Sequence, residues 1–146
     1  MNALVHRFET RQSTTLDRGV PGAEARPFTR MAGLNRRQAL GRAGENRAAA
    51  WYRSHGYAVI EQNWRCVAGE IDLVCTRGRT LIFAEVKART TATHGHPFEA
   101  VTPAKQRRLH GLASAYLRTQ TTHWAEIRFD VVALLGEDLE VLEGAF

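Results

Sequence analysis

The sequence predicts an α/β fold in which a central mixed β-sheet is flanked by helices. Three features support this prediction: an amphipathic helical segment opens the ordered pattern, three β-type runs follow it, and a second helical segment precedes two further strands. The run 127–135 is almost continuously apolar, which is typical of a strand buried on both faces. A length of 146 residues is usual for one domain, so we expect no second catalytic domain.

The N-terminal segment, residues 1–34, mixes Arg, Thr, Ser, Gly and Pro without a sustained period, and we expect it to be a disordered basic extension. The predicted domain covers residues 35–146. Residues 1–38 hold seven Arg against three acidic residues, so most of the net charge of +5 lies near this end. Met31 lies just before the ordered pattern, and a translation start there is an alternative that removes most of the extension.

The first helix is expected from Asn35 to about residue 55. Asn35 is a favourable N-cap, Gln38 follows at the spacing of a capping box, and a glycine lies just beyond the last turn. Small and apolar residues recur at helical spacing, at positions 40, 44, 48 and 51, and form one stripe. Glu45 lies beside this stripe, so its carboxylate is expected at the border of the buried face.

The β-type runs are rich in β-branched and aromatic residues and lie at 57–65, 70–76 and 80–87. Gly69 and Gly78 separate them, which is typical of turns between neighbouring strands. The last two runs are therefore expected to form a β-hairpin.

The second helix is expected to begin at Thr102 and Pro103, because these are residue types of an N-cap and of the first helical position. Its pattern continues to about residue 118. Two strands at 127–135 and 139–142 complete the order.

The hairpin register carries the functional prediction. A turn centred on Gly78 and Arg79 sets Asp72 opposite Glu85 and Glu70 opposite Lys87 on one face. The other face is then apolar, with one strand contributing Ile71, Leu73 and Cys75 and the other Ile82, Ala84 and Val86.

Two directly opposed carboxylates repel each other unless a cation lies between them. Mg²⁺ is commonly held by one or two carboxylates together with a phosphate of the substrate, and Asp72 and Glu85 meet that requirement. Lys87 projects from the same face and can touch a phosphate or orient a water. The alternative is a solvated face on which Glu70 and Lys87 form a simple cross-strand ion pair.

The charge composition also bears on the kind of partner that the protein binds. The surplus of positive charge favours a polyanionic partner, and nucleic acid is the first expectation. Lysine occurs only as Lys87 and Lys105, and Lys105 lies in the first turn of the second helix, where anions are attracted. Lys105 and Arg108 are therefore candidate contacts to nucleic acid, with a solvated face as the alternative, and Arg89 is a further candidate.

Several classes of protein are not expected. The chain contains no apolar run of membrane-spanning length and no secretory signal, so a cytoplasmic location and no membrane partner are expected. Cys66 and Cys75 fit neither a disulfide framework nor a zinc ribbon. His94 and His96 lack a third ligand at a recognisable spacing and are not predicted to bind metal.

Asp130 is expected to be structural, paired with Arg128 or another Arg.

A longer set of motifs resembles a known family. The helix with Glu45, then Asp72, then Glu85-Val86-Lys87 resembles the PD-(D/E)xK nuclease core, although Ile71 stands where the motif has Pro. The segments 41–45, 69–74, 83–89 and 128–130, together with Lys105, are similar to the YraN-like uncharacterised protein family; the match covers about residues 38 to 135.

The resemblance implies a restriction-endonuclease-like sandwich that hydrolyses phosphodiester bonds in DNA. It places Glu45, Asp72, Glu85 and Lys87 at the catalytic site. Asp72, Glu85, the Val86 carbonyl and Glu45 would then hold Mg²⁺ or Mn²⁺, the metal that activates a water for attack on the phosphate. A non-catalytic nucleic-acid-binding module on the same fold is the alternative, and assembly as a homodimer stays open.

Overall fold

The computed structural model describes residues 4–8, 29–90, 99 and 101–146. The elements follow one another as β1 (Leu4–Phe8), α1 (Thr29–Ser54), β2 (Ala58–Cys66), β3 (Gly69–Arg77), β4 (Thr80–Arg89), α2 (Pro103–Leu117), β5 (Glu126–Leu135) and β6 (Asp138–Glu143). From α1 onward this order is the predicted one.

The strands of the described residues form one mixed sheet in the order β1-β6-β5-β4-β3-β2. β4 and β5 run parallel, and every other neighbouring pair is antiparallel. The connection between the two parallel strands contains α2, as a parallel pair requires a crossover. This arrangement confirms the predicted α/β class, a mixed sheet flanked by helices.

The two faces of the sheet each carry a hydrophobic cluster. On one face α1 packs through Ala48, Trp51 and Tyr52 against residues of β3, β4 and β5. On the other face α2 packs through Leu112 and Tyr116 against a cluster that includes Phe83. Both helices are thereby packed against the central strands, and this packing positions the residues of the candidate site.

The N-terminal elements differ from the sequence expectation. α1 begins at Thr29 rather than Asn35, and β1 lies within the segment that was expected to lack regular structure. β1 pairs with β6 from Leu4↔Glu143 to Phe8↔Leu139, which satisfies backbone groups that an edge strand would otherwise expose. Such long-range pairing leaves little local pattern in the sequence. Residues 9–28 lie outside the described residues, and the boundary of the domain stays a prediction.

The predicted structural role of Asp130 is confirmed. Its side chain is fully buried and accepts hydrogen bonds from the Tyr52 hydroxyl at 2.8 Å and from the Arg128 Nε at 2.9 Å. The backbone N–H of Gly144 donates a further bond at 3.0 Å. A buried carboxylate with charged and neutral donors on both oxygens is satisfied where it stands and ties α1 to β5.

Candidate functional site

A cavity of about 300 Å³ opens at the sheet between α1 and α2. Its wall includes all four residues predicted to be catalytic and two of the three predicted nucleic-acid contacts, namely Glu45, Asp72, Glu85, Lys87, Lys105 and Arg108. These side chains come from α1, β3, β4 and α2, so four elements must pack correctly to assemble the cavity. The third predicted contact, Arg89, lies elsewhere.

The hairpin register is confirmed where the two strands pair. The pairs run from Arg77↔Thr80 to Leu73↔Ala84, in the register that the turn predicts. The pairing stops there, one residue before Asp72. Asp72 Oδ2 instead accepts a hydrogen bond from the backbone N–H of Val86 at 2.8 Å. The carboxylate therefore satisfies a β4 donor beyond the end of the ladder.

Two details of the predicted hairpin faces are wrong because the β3–β4 ladder ends before Asp72. Ile71 packs in the cluster under α2 and not with Leu73 on the α1 side, since regular alternation is lost around Asp72. Glu70 does not pair across the ladder with Lys87: it forms an ion pair with Arg65, Nε to Oε2 3.1 Å. The predicted cross-strand pair is replaced by one between β2 and β3.

The electrostatics of Asp72 are those of a crowded acidic site. Burial, and next the negative charge of Glu85, raise the pKa of Asp72 from 3.8 to about 7. The charge of Glu45 acts in the same direction, whereas the Val86 N–H and the Lys87 ammonium oppose the rise. The three carboxylates thus share one local field, and added positive charge would stabilise the ionised form of Asp72.

Glu85 and Lys87 lie on the same strand and contact each other, Lys87 Nζ to Glu85 Oε1. Their side chains are only 15% and 26% exposed, respectively. An ion pair this close within a partly enclosed cavity is screened less than one on the surface. Lys87 is therefore held beside Glu85 at the wall of the cavity.

Glu45 reaches the cavity because α1 approaches β4 closely at Gly44. A Cβ on Gly44 would lie 2.8 Å from the Cβ of Ala88, closer than real Cβ atoms approach. The absence of a side chain at Gly44 brings the next residue, Glu45, to the cavity. Asn63 Nδ2 of β2 then donates a hydrogen bond to Glu45 Oε2 at 2.8 Å.

The cationic wall comes from α2. Thr102 is the N-cap, as predicted, and its hydroxyl accepts a bond from the backbone N–H of Lys105 at 3.4 Å. Arg108 lies one turn further and packs its guanidinium against Gly69, where an added Cβ would lie 2.6 Å from Nη2. Positive charge and a helix N-terminus therefore face the carboxylates across the cavity.

A second, more open groove of about 680 Å³ continues from the cavity and shares Val86 and Lys87 with it. Arg89 lines this groove, opposite residues of α1 that include Arg37. Sequence reasoning missed Arg37 because it treated the first turns of α1 by their caps alone. It also missed Asn63, although Asn within a β-run is a known signal for a local departure from extended backbone.

Which groups could hold a metal follows from these contacts. Within the described ranges, no three side chains of the types His, Cys, Asp and Glu converge on one point. Asp72 and Glu85 are a pair of oxygen donors, and such a pair is sufficient for Mg²⁺ when waters and a substrate phosphate complete the shell. Burial, and next the charge of Glu85, raise the pKa of Asp72, and a divalent cation beside the pair would favour its ionised form, so the donor set fits a hard divalent cation. His94 and His96 lie outside the described residues.

In the described part of the chain, neither helix is long and apolar enough to cross a membrane. Both cysteines are free thiols, and Cys75 is buried among apolar side chains. The cysteines therefore act as packing residues, as expected from their spacing.

Comparison with known proteins identifies the family. The model of the uncharacterised protein family UPF0102 matches residues 44–134, which include Glu45, Asp72, Glu85, Lys87 and Lys105. A UPF0102 protein of Beutenbergia cavernae is 46% identical over 102 residues, covering 70% of this chain and 86% of the relative. A UPF0102 protein of Renibacterium salmoninarum is 48% identical over 110 residues, covering 72% of this chain and 93% of the relative. The chain therefore belongs to the uncharacterised protein family UPF0102, the same family as the YraN-like proteins that its motifs resemble.

Proposed function

We propose that this protein is a metal-dependent nuclease that hydrolyses phosphodiester bonds in DNA. The observation that carries the proposal is the convergence of Asp72, Glu85 and Lys87 on one cavity whose opposite wall is cationic. A phosphodiester needs all three kinds of group: carboxylates for a metal, a lysine for developing charge, and cations for the flanking phosphates. The order of these motifs along the chain is also similar to that of PD-(D/E)xK nucleases.

In this proposal Asp72 and Glu85 hold Mg²⁺ or Mn²⁺, with the Val86 carbonyl as a further donor, and Glu45 would join the shell through a water. The ion supplies Lewis-acid polarisation of the scissile phosphate and makes the attacking water more acidic. Asp72 is oriented for this task by the Val86 N–H, which leaves its other oxygen available. Glu85 would bind the metal through the carboxylate that contacts Lys87 in this structure, and Lys87 would then be available to the substrate.

Lys87 is the residue proposed to act on the reacting atoms. Its ammonium group carries three donors and lies within the cavity, beside the carboxylate oxygens. From there it can hold the attacking water by a hydrogen bond or neutralise the charge that develops on the phosphate oxygens. Either role depends on the positive charge and on the length of the side chain.

The path of the substrate follows the cations on both sides of the carboxylates. Lys105 and Arg108 line the cavity itself, and Arg37 and Arg89 line the groove that shares Lys87 with it. A polynucleotide that crosses the carboxylates would place successive phosphates against both groups. A cytoplasmic location, where nucleic acid and Mg²⁺ are both available, belongs to the same proposal.

The test is a cleavage screen with the purified full chain and labelled linear, nicked and branched DNA and RNA in Mn²⁺ or Mg²⁺. We expect cutting of at least one DNA form, abolished by chelation and lost in Asp72→Ala and Glu85→Ala. Arg79→Ala is the matched control, because Arg79 lies in the β3–β4 turn at the far end of the hairpin. Equal cutting by wild type and the carboxylate variants would assign the activity to a contaminant.

The alternative is a module that binds nucleic acid without cutting it. One observation favours it: Glu85 and Glu45 each already accept a contact from the protein's own side chains, from Lys87 and Asn63 respectively. In that case DNA binding is retained in Asp72→Ala, is weakened in Lys105→Ala and Arg108→Ala, and no form of DNA is cut. Each lost phosphate contact should also lower the slope of log affinity against log salt by about 1.

A further inference from the structure

We propose that Asn63 is a positioning residue that holds the Glu45 carboxylate at the metal site and thereby sets the affinity of the site for a divalent cation. This inference rests on the proposed function and adds a residue to it. It depends on two independent observations, one on the backbone of Asn63 and one on its side chain.

The backbone of Asn63 is unusual for a residue inside a strand. Its φ is +55°, and among the described residues every other positive φ belongs to a glycine. The β2–β3 pairs on either side, Gln62↔Leu73 and Trp64↔Ile71, set Asn63 across from Asp72. The ladder between β2 and β3 is thus interrupted at the same level at which the ladder between β3 and β4 ends. Left-handed backbone in a non-glycine residue is costly and tends to occur at functional sites.

The side chain shows what this conformation achieves. Asn63 Nδ2 donates to Glu45 Oε2 at 2.8 Å, a bond that joins β2 to α1. The side chain is half-buried and lies in the left-handed stretch of β2 that is set across from Asp72. Asparagine tolerates this conformation better than most other non-glycine residues, and unlike glycine it also supplies the amide that bonds to Glu45.

An amide is well suited to this position for a chemical reason. It donates to the carboxylate without adding a positive charge, so it orients Glu45 without competing with a metal ion for the site. Lys87 shows the contrast, because its ammonium group neutralises the carboxylate it contacts. Outer partners of this kind commonly change metal affinity or activity by about 10–100-fold when they are removed.

The decisive variant is Asn63→Gly, which keeps the left-handed backbone accessible and removes the amide. Gln62→Ala is the matched control, because Gln62 is an exposed neighbour in the same strand. Mn²⁺ binding to the metal-free full chain is measured by calorimetry for both variants and for wild type. We expect Asn63→Gly to bind Mn²⁺ about 10-fold more weakly than wild type and Gln62→Ala to bind it equally well.

A double-mutant cycle with Glu45→Ala separates positioning from general structural damage. If Asn63 acts through Glu45, adding Asn63→Gly to Glu45→Ala weakens Mn²⁺ binding no further. The same loss in both backgrounds would overturn the inference, as would an Asn63→Gly variant with wild-type affinity. Absence of Mn²⁺ binding to wild type would instead overturn the proposed function and the inference together.

Discussion

The carboxylate of Asp72 accepts a hydrogen bond from the backbone N–H of Val86 at 2.8 Å, beyond the point where pairing between β3 and β4 ends. One side chain thus satisfies a main-chain donor and also contributes charge to the cavity that holds Glu85. The two roles act on the stability of the fold in opposite directions. The hydrogen bond stabilises the folded state, whereas the charge destabilises it because it lies close to another carboxylate.

Substitutions at Asp72 should separate the two roles. Asp72→Asn keeps an acceptor oxygen for the Val86 N–H and removes the charge, so in metal-free protein at pH 8 it should unfold at a higher urea concentration than wild type. Asp72→Ala leaves the N–H without its acceptor and should cost about 1–3 kcal/mol relative to Asp72→Asn. Urea unfolding measures both differences, and equal stability of the two variants would show that the hydrogen bond contributes nothing.

The stability of the metal-free protein should depend on pH through Asp72. Its pKa is raised from 3.8 to about 7 on folding, chiefly by burial, so the folded state binds the proton more tightly than the unfolded state. The contribution of a raised carboxyl pKa is fully present at low pH and is lost as pH rises from about 4 to 7. The free energy of unfolding of wild type should therefore fall relative to Asp72→Asn across that range. A difference that does not change with pH would contradict the raised pKa.

Gly44 should be intolerant of a side chain. A Cβ there would lie 2.8 Å from Ala88 Cβ, so Gly44→Ala should push α1 away from β4 and destabilise the protein by about 1–3 kcal/mol. Gly41→Ala is the matched control: it is in the same helix, and its Cβ would meet nothing within 4 Å. Helix propensity predicts a neutral or stabilising effect there, up to about 1 kcal/mol. Thermal unfolding compares the two, and the double variant Gly44→Ala with Ala88→Gly should recover stability.

Lys87 should be needed for hydrolysis and not for metal binding. Lys87→Met removes the ammonium group but keeps an unbranched side chain, and cleavage should fall about 100-fold or more. Mn²⁺ affinity should stay the same or rise, because a positive charge beside Glu85 is lost. Calorimetry and single-turnover cleavage are measured on the same preparation. Loss of Mn²⁺ affinity in this variant would show that Lys87 supports the metal site itself.

The residues show which parts of the fold can be predicted from sequence. The register of the β3–β4 hairpin follows from its turn, and the start of α2 follows from Thr102 and Pro103, because both depend on local backbone chemistry. The end of the ladder at Asp72 does not follow, since there the Asp72 carboxylate accepts the hydrogen bond from the Val86 N–H. The pairing of β1 with β6 does not follow either, because the two strands lie at opposite ends of the sequence.

The candidate site divides in a similar way. Asp72, Glu85 and Lys87 are predictable because they lie on one hairpin and the period of two sets Glu85 and Lys87 on one face of β4, although Asp72 reaches them from beyond the end of the ladder. Glu45 follows from the motif resemblance, but the reason that it reaches the cavity, the close packing at Gly44, requires the three-dimensional structure. Asn63 requires it as well, because its function depends on a backbone conformation that the surrounding β-type pattern conceals.

We propose that Asp72 and Glu85 together hold a divalent cation. Anomalous scattering from crystals of the full chain soaked in Mn²⁺ tests it most directly, with Asp72→Asn crystals as the control. We predict one strong anomalous peak between the two carboxylates in wild type, bonded to oxygen at about 2.0–2.3 Å, and no peak at this position in the variant. A peak elsewhere in the molecule, or none at these carboxylates under saturating Mn²⁺, would contradict the assignment.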